Sequence, residues 1–554
     1  MTGAEAIVKV LKEQGVKTIF GYPGGQVIPL YNALYDADLH NVLTVHEQGA
    51  IHAADGFARA TGETGVCIAT SGPGATNIVT GLATAYLDSV PLVAITGQVQ
   101  LQNLGRDAFQ EIDIVGVTLP ITKHNVLVRT PEELVPALRR AFTTARAGRP
   151  GPVLVDIPSN IQTGEVQWCD EMVAASEQAS EENVEFDEGA LQAAAVVLNN
   201  AKRPVLLVGG GAVSSGVANE LKVFAEKTGV PVVSTLMGLG VFDGSHPQAL
   251  GLTGMHGHIA ANMAIAEADV LLVVGSRFSE RVTGDRTKYV EKKTIIHLDI
   301  DPSEIDKNIE TTLTIVGDLK KTLVKLNALV KERILKGWWN SIKAWEATEK
   351  QALCNGKRLT APWVMAELNK NFQHKDTIYV TDVGQNQMWA AQHLCIEKPR
   401  GHLTSGGCGT MGFGLPAALG AKLARREAQV IHIAGDGGFK MTGMELYTAV
   451  NEKLPILSIV LNNACLGMVR QWQEIFYEQR YSSTLLLPFD FVAFAHSCGA
   501  QGMKVTTCAE FKKALAQFDE RNGPFVIEVV IEQSDLVIPM VAPGAIINDF
   551  VVLD

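Results

Sequence analysis

Short apolar runs rich in β-branched residues recur along the whole chain, and helical patterns separate them. Most of these runs end in Gly, Ser, Asp or Asn immediately before a helix, as in the stretches PVLLVGGG, VLLVVGSRF and VIHIAGDGG. Strands that are buried on both faces have this appearance in parallel sheets, and their alternation with helices is typical of α/β proteins. The chain is therefore expected to be α/β, with ligands bound at the carboxyl ends of its strands.

Two polar stretches interrupt the alternation and divide the chain. The stretch 170–190 is acidic and rich in Ser and Ala, whereas the stretch from about Lys331 to Leu359 has the pattern of a linking helix. A length of 554 residues also favours about three domains rather than one. We predict three doubly wound parallel-sheet domains, which span residues 1–165, 185–330 and 360–554.

Composition excludes several classes of partner. The formal net charge is −12, so nucleic acid and anionic membrane surfaces are poor partners. None of the eight cysteines forms a CxxC pair, which favours reduced thiols in a cytoplasmic protein over a disulfide framework or a zinc site. No run of about 18 apolar residues occurs, and the first residues have neither the signal-peptide nor the transit-peptide pattern.

One segment combines glycines, a carboxylate and an amide in an informative spacing. A predicted strand ends at Gly435, Asp436, Gly437 and Gly438, and a second strand ends at Asn463, 27 residues after Asp436. The glycines let backbone amides approach a diphosphate, and oxygen ligands of this type suit Mg²⁺. The GDG alone fits an ordinary turn equally well, but with the NN it resembles the diphosphate–metal motif of thiamine diphosphate enzymes.

Thiamine diphosphate requires a carboxylate at its aminopyrimidine, and that carboxylate should follow a strand of another domain. Glu47 meets this demand, since it follows the apolar run LTV and precedes a helix rich in Ala and Gly. Taken alone, Glu47 would be an ordinary surface carboxylate. Together with GYPGG (21–25), SGPGATN (71–77) and the GDG–NN pair, it becomes the predicted proton relay.

Further stretches extend the resemblance nearly from end to end. They include FGYPGG, HEQGA, TSGPGATN, ITGQV, DAFQE, GRPGPVLVDIP, GSRFSERVTG, TDVGQNQMWAAQ, GDGGF and PMVAPGA. With them, the chain resembles the catalytic large subunits of acetolactate synthases, also called acetohydroxyacid synthases. The resemblance implies a pyrimidine-binding domain, a central FAD-binding domain and a diphosphate-binding domain, in that order.

The resemblance also implies a role for individual residues at the thiamine site. Glu47 would contact the aminopyrimidine, and Asp436, Asn463 and the main-chain carbonyl of Cys465 would bind Mg²⁺. Met411 would hold the cofactor in a bent shape. The remaining residues implied to bind thiamine diphosphate are Pro73, Asn77, Gly384, Gln385, Asn386, Gly409, Gly437, Gly438, Leu466, Gly467 and Met468.

The middle domain raises a separate question, because a glycine run such as VGGGAV (208–213) is weak evidence for a dinucleotide. Several thiamine diphosphate enzymes keep such a domain without a nucleotide. The resemblance implies bound FAD, structural or vestigial since the reaction needs no redox step. The implied FAD residues are Arg149, Gly209, Gly210, Gly211, Thr235, Leu236, Met255, His256, Gly275, Arg277, Arg281, Asp299 and Asp318.

Substrates and partners follow from the same resemblance. Phe109 and Gln110 would face the reacting centre from the partner chain, and Trp472 and Arg281 would bind a second 2-ketoacid, pyruvate or 2-ketobutyrate. Without its context, Trp472 would be an ordinary helix aromatic. The smallest active unit would be a homodimer with active sites between subunits; a tetramer and a small regulatory subunit are open alternatives. The product would enter branched-chain amino-acid (valine, leucine and isoleucine) biosynthesis.

Five positions depart from the family pattern. Asn386 replaces a usual His while keeping a donor, Cys408 replaces a Leu near Met411, and Gln100, Ser159 and Glu280 replace Pro, Lys and Asp. None removes a group that the reaction requires. Two other functions stay open on the sequence: another FAD-containing thiamine diphosphate enzyme such as a pyruvate oxidase, and an inactive nucleotide-binding homologue.

Overall fold

The computed structural model describes residues 1–168, 187–353 and 358–551, with backbone alone for 350–353. Within these ranges the chain forms three six-stranded sheets, and all the paired strands of each sheet are parallel. The predicted α/β class with three parallel sheets is confirmed. Most of the acidic stretch 170–190 lies outside the described residues, as do Cys169 and Cys354.

The first sheet has the strand order β2-β1-β3-β4-β6-β5. Strands β3, β4 and β6 are fully buried because helices cover both faces of the sheet. The strands are β1 Thr18–Tyr22, β2 His40–Leu43, β3 Gly65–Ala69, β4 Leu92–Gln98, β5 His124–Leu127 and β6 Pro152–Pro158. The helices are α1 Gly3–Glu13, α2 Ile28–Tyr35, α3 Glu47–Thr61, α4 Pro73–Asn77, α5 Val79–Asp88, α6 Ile114–Thr118, α7 Pro131–Arg146 and α8 Ser159–Thr163.

The second sheet has the order β12-β11-β10-β7-β8-β9, with its central strands buried. The strands are β7 Pro204–Val208, β8 Val232–Ser234, β9 Ala249–Leu252, β10 Val270–Val274, β11 Thr294–Asp299 and β12 Leu313–Val316. The helices are α9 Glu188–Asn200, α10 Gly210–Ser214, α11 Ala218–Thr228, α12 Ile259–Glu267, α13 Glu280–Thr283, α14 Arg286–Val290 and α15 Leu319–Leu329. The predicted linking helix follows as α16, Lys336–Leu353.

The third sheet has the order β14-β13-β15-β16-β18-β17. Its strands are β13 Thr377–Thr381, β14 His402–Leu403, β15 Gln429–Gly435, β16 Ile456–Asn462, β17 Gln501–Val505 and β18 Phe525–Val530. Its helices are α17 Ala361–Phe372, α18 Gln385–His393, α19 Gly414–Ala424, α20 Asp436–Thr442, α21 Glu445–Asn451, α22 Gly467–Phe476, α23 Phe491–Ser497 and α24 Cys508–Gln517. The three sheets lie inside the three ranges predicted as domains; the limits of those ranges stay a prediction.

The first and third units pack together through helices α3 and α19. A Cβ atom on Gly56 would lie 2.2 Å from the Ala417 carbonyl oxygen, and one on Gly420 would lie 1.8 Å from that of Ala53. Only glycine permits two helix backbones to approach this closely. Helix α3, which begins at Glu47, is therefore fixed against the unit that contains Asp436.

The segment after β18 returns to the middle unit. The Val541 amide donates to the Met255 carbonyl at 2.7 Å, and the Asp285 amide donates to the Ala545 carbonyl at 2.9 Å. The Asn262 side chain donates to the Ile547 carbonyl at 2.9 Å. These bonds join the third unit to the middle one beside Met255.

Candidate active site

Asp436 and Asn463 follow the adjacent central strands β15 and β16, which pair in register through Gly435 and Leu461. Asp436 is only 2% exposed, and burial raises the pKa of its carboxyl to about 6 although Lys440 and backbone amides counter the rise. Burial raises the pKa of the Cys465 thiol to about 11, and the nearby Asp436 charge adds to this rise. The structure thus places the three predicted metal-binding residues together.

Gln385 connects this cluster to helix α18. The Asn463 side chain donates to Gln385 Oε1 at 3.1 Å, and Gln385 Nε2 donates to Gln471 Oε1 at 2.9 Å. A Cβ atom on Gly467 would lie 2.0 Å from Gln385 Oε1, so a larger residue at the start of helix α22 would displace the Gln385 side chain. Gly384 has a φ of +135°, a conformation that glycine adopts readily.

The glycines of the GDGG motif lie close to two other elements. A Cβ atom on Gly437 would lie 2.7 Å from Leu466 Cδ2 and 3.4 Å from Met411 Cε. One on Gly438 would lie 2.3 Å from Asp382 Oδ1. The structure therefore brings Leu466 and Met411 together at Gly437, which follows Asp436; their role in binding a cofactor stays a prediction.

Asp382 was not predicted, yet it fixes the loop that carries Met411. Its buried carboxylate accepts hydrogen bonds from the amides of Gly412, at 3.0 Å, and Gly414, at 3.1 Å. Burial raises its pKa, while these amides counter the rise. The available signal was its position directly after strand β13 and two residues before the predicted Gly384.

Asn386 is oriented inward. Its Nδ2 donates to the carbonyls of Asp382, at 2.8 Å, and Ile433, at 3.0 Å. An amide nitrogen has only two hydrogens to donate. Both hydrogens of its side-chain amide are therefore used within the protein, so a hydrogen bond donated to a diphosphate would come from its backbone amide.

Glu47 begins helix α3 in the first unit. Its Oε2 accepts a hydrogen bond from Asn77 Nδ2 at 2.9 Å, and a Cβ atom on Gly74, next to Pro73, would lie 3.3 Å from its Oε1. Glu445, which was not predicted, accepts from the amides of Val45 and His46. Glu47, Pro73 and Asn77 therefore form one cluster. The turn that leads into Glu47 is hydrogen-bonded to Glu445 of the third unit.

Phe109 and Gln110 lie in an exposed turn of the first unit. Phe109 is 84% exposed, and Gln110 has a φ of +62°. The Glu111 carboxylate holds the turn by accepting the amides of Ala108, at 3.0 Å, and Gly105. An aromatic side chain displayed on a fixed turn is suited to contact a partner surface.

The structure does not join the two thiamine clusters within one chain. Glu47 contacts residues of the first unit, whereas Asp436 and Asn463 contact residues of the third. Among the described residues, no hydrogen bond or ion pair connects Glu47 with Asp436 or Asn463.

A cavity of about 1560 Å³ lies between the middle unit and the other two. Ligand cavities are commonly roughly 300–1,000 Å³, so this one is large enough for a dinucleotide with space beside it. Most of the residues predicted to bind FAD line it: Arg149, Gly210, Gly211, Thr235, Leu236, Met255, His256, Gly275, Arg277, Arg281, Asp299 and Asp318. Gly209 lies behind this wall, where its Cβ atom would be 2.2 Å from the Gly275 carbonyl oxygen.

Two polar residues of the cavity, Arg149 and Asp299, differ in how many of their hydrogen-bonding groups are already used within the protein. Arg149 Nη1 contacts the carboxylates of Asp301, at 3.1 Å, and Glu304, at 2.6 Å, so that part of its guanidinium joins the first unit to the middle one. Asp299 Oδ1 accepts the Asp301 amide at 3.0 Å. The Asp299 carboxylate thus keeps capacity to accept from a ribose-like hydroxyl.

Trp472, Met468 and Arg281 line the same cavity near the loop of Gly409. The Arg281 guanidinium lies 5.4 Å from the centre of the Trp472 ring, within the range of a cation–π contact. Arg281 Nη1 also lies 3.1 Å from the Met255 sulfur. A cationic group beside an aromatic wall can bind a small carboxylate, as predicted for this corner.

The residues around Asp436 fit Mg²⁺. Within the described ranges no three His, Cys, Asp or Glu side chains form a metal cluster. One buried carboxylate, one amide and one main-chain carbonyl nevertheless suit Mg²⁺, which takes few protein ligands and completes its shell with water and phosphate oxygens. No backbone amide of the described chain donates to the Cys465 carbonyl, so that oxygen is available.

Comparison with known families now adds to this geometry. Residues 1–117 match the family described as thiamine pyrophosphate enzyme, N-terminal TPP binding domain. Residues 191–326 match the central domain of thiamine pyrophosphate enzymes, and residues 382–529 match their C-terminal TPP binding domain. The clusters of Glu47 and of Asp436 thus lie in the two domains named for thiamine pyrophosphate binding.

Curated relatives match the chain along its length. An "Acetolactate synthase isozyme 2 large subunit" of Escherichia coli is 43% identical over 98% of this chain and 98% of that protein. An "Acetolactate synthase large subunit" of Corynebacterium glutamicum is 45% identical over 99% of this chain and 90% of that protein. A "Probable acetolactate synthase large subunit" of Methanocaldococcus jannaschii is 45% identical over 100% of this chain and 95% of that protein.

The chain belongs to the acetolactate synthase large-subunit family. The predicted family is therefore confirmed. Three of the departures from the expected pattern have clear positions in the structure. Cys408 is exposed to the cavity, Glu280 lies 3.7 Å from Arg281 at the cavity edge, and Ser159 begins helix α8. Nothing in the structure explains Gln100.

No helix in the part of the chain that the structure describes is both long and apolar enough to cross a bilayer.

Proposed function

We propose that the chain catalyses the acetolactate synthase reaction. Two pyruvate molecules give 2-acetolactate and CO₂, and pyruvate with 2-ketobutyrate gives 2-aceto-2-hydroxybutyrate and CO₂. The observation that carries this proposal is the buried Asp436–Asn463 cluster, placed at a parallel-sheet edge in a chain 43–45% identical to acetolactate synthase large subunits of three organisms.

Thiamine diphosphate with Mg²⁺ would supply a carbon nucleophile and an electron sink for this reaction. Asp436, Asn463 and the Cys465 carbonyl would hold Mg²⁺, and the amides of Gly437, Gly438 and Gly467 would approach the diphosphate. The raised pKa of Asp436, caused by burial, supports a bound cation, because a buried carboxylate needs compensating charge. Met411, held through Asp382, would support the cofactor from the opposite side.

Glu47 would exchange a proton with the aminopyrimidine of the cofactor. Asn77 supports this role because its hydrogen bond fixes one carboxylate oxygen and leaves the other for the cofactor. Fixing one oxygen restricts the rotation of the carboxylate, so that less orientation has to be lost during catalysis.

Substrate recognition is proposed for the corner of the cavity between Arg281 and Trp472. Arg281 would bind the carboxylate of the second 2-ketoacid, and Trp472 would form an apolar wall that limits the size of its side chain. Phe109 and Gln110 of a partner subunit would cover the reacting centre and exclude water from it. Excluding water favours ligation over release of an aldehyde.

FAD is proposed to occupy the remainder of the cavity in a structural role. The proposal is supported by the close packing of the two glycine turns in the cavity wall, at Gly211 and at Gly275. A Cβ atom on Gly211 would lie 2.8 Å from the Gly275 Cα. Because neither of these glycines carries a side chain, space remains on the cavity side. The proposed reaction consumes no electrons, so the flavin has no redox step to perform.

The active unit is proposed to be a homodimer or a tetramer with active sites between subunits. In either assembly, Glu47 would serve the cofactor held by the Asp436 cluster of a neighbouring chain. The separation of the two clusters within one chain and the 84% exposure of Phe109 support this arrangement. Relatives named large subunits also support a smaller regulatory partner. A cytoplasmic location is proposed from the cysteine usage.

An acetolactate assay of the purified chain tests the proposed function. Pyruvate is supplied, and thiamine diphosphate, Mg²⁺ and FAD are omitted one at a time. We expect acetolactate and CO₂ in equal amounts, with dependence on the first two cofactors. Reduction of the flavin by pyruvate at the rate of turnover would instead favour an oxidase, and no CO₂ release would contradict both.

A further inference from the structure

Strand β18 contains a carboxylate at a position where parallel strands are normally apolar. Glu528 is fully buried in the third sheet. Its Oε1 accepts a hydrogen bond from Asn462 Nδ2 at 2.8 Å, and Lys504 Nζ lies 2.9 Å from the same oxygen. Burying a carboxylate in a sheet is unfavourable, so a structural benefit elsewhere is expected.

The benefit lies in the turn that follows β16. Asn462 Oδ1 accepts a hydrogen bond from the Ala464 amide at 3.0 Å, while its Nδ2 is bound to Glu528. This closes a turn of the Asx type. Both ends of the Asn462 side chain are therefore engaged, one by the sheet and one by the turn.

Ala464 is the strained residue of this turn. Its φ is +53°, in the left-handed region that residues other than glycine rarely occupy. The Ala464 carbonyl accepts the Leu486 amide at 2.9 Å, which holds the turn from its other side. Such a conformation persists only where the surroundings determine it.

The strain has a consequence for the two residues beside Ala464. Asn463 precedes it and directs its side chain to Gln385, and Cys465 follows it next to Asp436. A left-handed residue between them turns the chain sharply, so that a side chain and a main-chain carbonyl can face the same point. In an extended turn the two groups would face apart.

We propose that Asn462, fixed by Glu528 and Lys504, is a positioning residue for the Mg²⁺ site. It holds Ala464 in the left-handed conformation and thereby directs Asn463 and the Cys465 carbonyl toward Asp436. The inference rests on the proposed function, since it assumes that Asp436 binds the metal. It assigns a role to the first Asn of the NN pair, whose side chain binds Glu528 and the Ala464 amide.

The test measures binding of Mn²⁺ in place of Mg²⁺ by the complete chain with thiamine diphosphate present. Free Mn²⁺ is followed by electron paramagnetic resonance, and each variant is compared with the unmodified chain. We expect Asn462→Ala to weaken Mn²⁺ binding by about 10- to 100-fold, the usual effect of removing a residue that orients metal ligands. High Mn²⁺ should restore the affinity for thiamine diphosphate.

The double variant Asn462→Ala/Ala464→Gly separates positioning from general stability. Glycine adopts a φ of +53° without the support of Asn462, so it should recover most of the lost Mn²⁺ affinity. Ala464→Gly alone serves as the matched control and should bind nearly as the unmodified chain. An unchanged affinity in Asn462→Ala, or a double variant as weak as the single one, would overturn the inference.

Asp436→Ala distinguishes a failure of this inference from a failure of the proposed metal site. If Asp436→Ala loses Mn²⁺ while Asn462→Ala binds normally, only the positioning role is wrong. If Asp436→Ala also binds normally, the proposed metal site itself is wrong.

Discussion

The cavity beside the middle sheet and the surroundings of Asp436 differ in how much of a site one chain supplies. The cavity brings together residues of all three units, from Arg149 through Asp299 to Trp472, within a single chain. The Asp436 cluster, in contrast, has no hydrogen bond or ion pair with Glu47 among the described residues. One chain therefore supplies the whole lining of the cavity, whereas the proposed function divides the reaction site between two chains.

This difference follows from how the units are joined. Arg149 forms ion pairs with Asp301 and Glu304 across the cavity, which holds the first unit against the middle one. Helix α3 is fixed to helix α19 by glycine contacts on its side, while Glu47 at its first position remains directed to Asn77. Under the proposed function, this packing leaves the Glu47 carboxylate for a cofactor held by a neighbouring chain.

Replacing the carboxylate of Glu47 tests the reaction site with the largest expected effect. Glu47→Gln keeps the size of the side chain and can still bind Asn77, but it cannot exchange a proton. Acetolactate formation should fall about 10²- to 10⁴-fold, the usual contribution of general acid–base catalysis. FAD content, measured by absorbance, should stay unchanged. Full activity in Glu47→Gln would contradict the proposed mechanism.

A methyl group on Gly275 tests whether the cavity is independent of the reaction site. Its Cβ atom would lie 2.6 Å from the Ala212 amide nitrogen, and overpacking of this kind costs about 1–3 kcal/mol. FAD affinity in Gly275→Ala should fall about 5- to 150-fold, while thiamine diphosphate binding is retained. Flavin fluorescence measures the first and protein fluorescence the second.

Gly216→Ala provides the matched control for this substitution. Gly216 has a φ of +63°, close to the +61° of Gly275, but nothing lies within 4 Å of its Cβ position. A similar loss of FAD in both variants would show that backbone strain, and not the wall of the cavity, decides the binding.

Arg281 lies where the two regions meet, so a change there should affect substrate more than either cofactor. Arg281→Lys keeps the positive charge but loses the planar pair of donors that suits a carboxylate. The KM for the 2-ketoacid should rise about tenfold, the equivalent of about 1.4 kcal/mol, with a smaller change in kcat. A lower FAD affinity with an unchanged KM would assign Arg281 to the cavity alone.

The smallest expected effect is a gradual loss of folding stability as the pH falls. Burial lowers the pKa of His52 and of His432 from 6.5 to about 3, with nearby Arg59 adding to the effect at His52. Both are neutral in the folded chain, so their contribution is complete above pH 6.5 and is lost as the pH falls toward 3, where the unfolded chain binds more protons.

Thermal unfolding measured from about pH 7 to about pH 4 tests this linkage. The midpoint should fall across this range, and the fall should be shallower in His432→Leu. The exposed His124 supplies the control, since His124→Gln should keep the slope of the unmodified chain. An equal slope in all three chains would contradict the conclusion that buried, neutral His432 contributes to the pH dependence.

The sheets and the Asp436 cluster could be predicted because their signals are local. Each buried strand is an apolar run, and the carboxyl ends of neighbouring parallel strands meet at one edge, so Asp436 and Asn463 had to approach each other. The family resemblance then supplied the residues of the cavity, most of which line it. Local sequence was sufficient wherever one strand and its following turn determined the position.

Contacts between distant segments could not be predicted in this way. Asp382 binding Gly412 and Glu445 binding the His46 amide both depend on tertiary packing. The position of Asp382 after a strand marks it as a candidate, but no local pattern reveals the partners of either carboxylate. The inward orientation of Asn386 likewise depends on the carbonyl of Ile433 in the neighbouring strand. Side-chain direction was therefore decided by packing that the sequence motif does not encode.

Mixing two inactive variants tests the central claim that the reaction site is divided between subunits. Glu47→Gln and Asp436→Ala chains are each expected to be inactive alone, and are unfolded, mixed in equal amounts and refolded together. In a homodimer with shared sites, half of the random dimers are hybrids with one intact site of two, so about a quarter of the activity should return. If Glu47 instead serves the Asp436 of its own chain, every site stays defective and no activity returns.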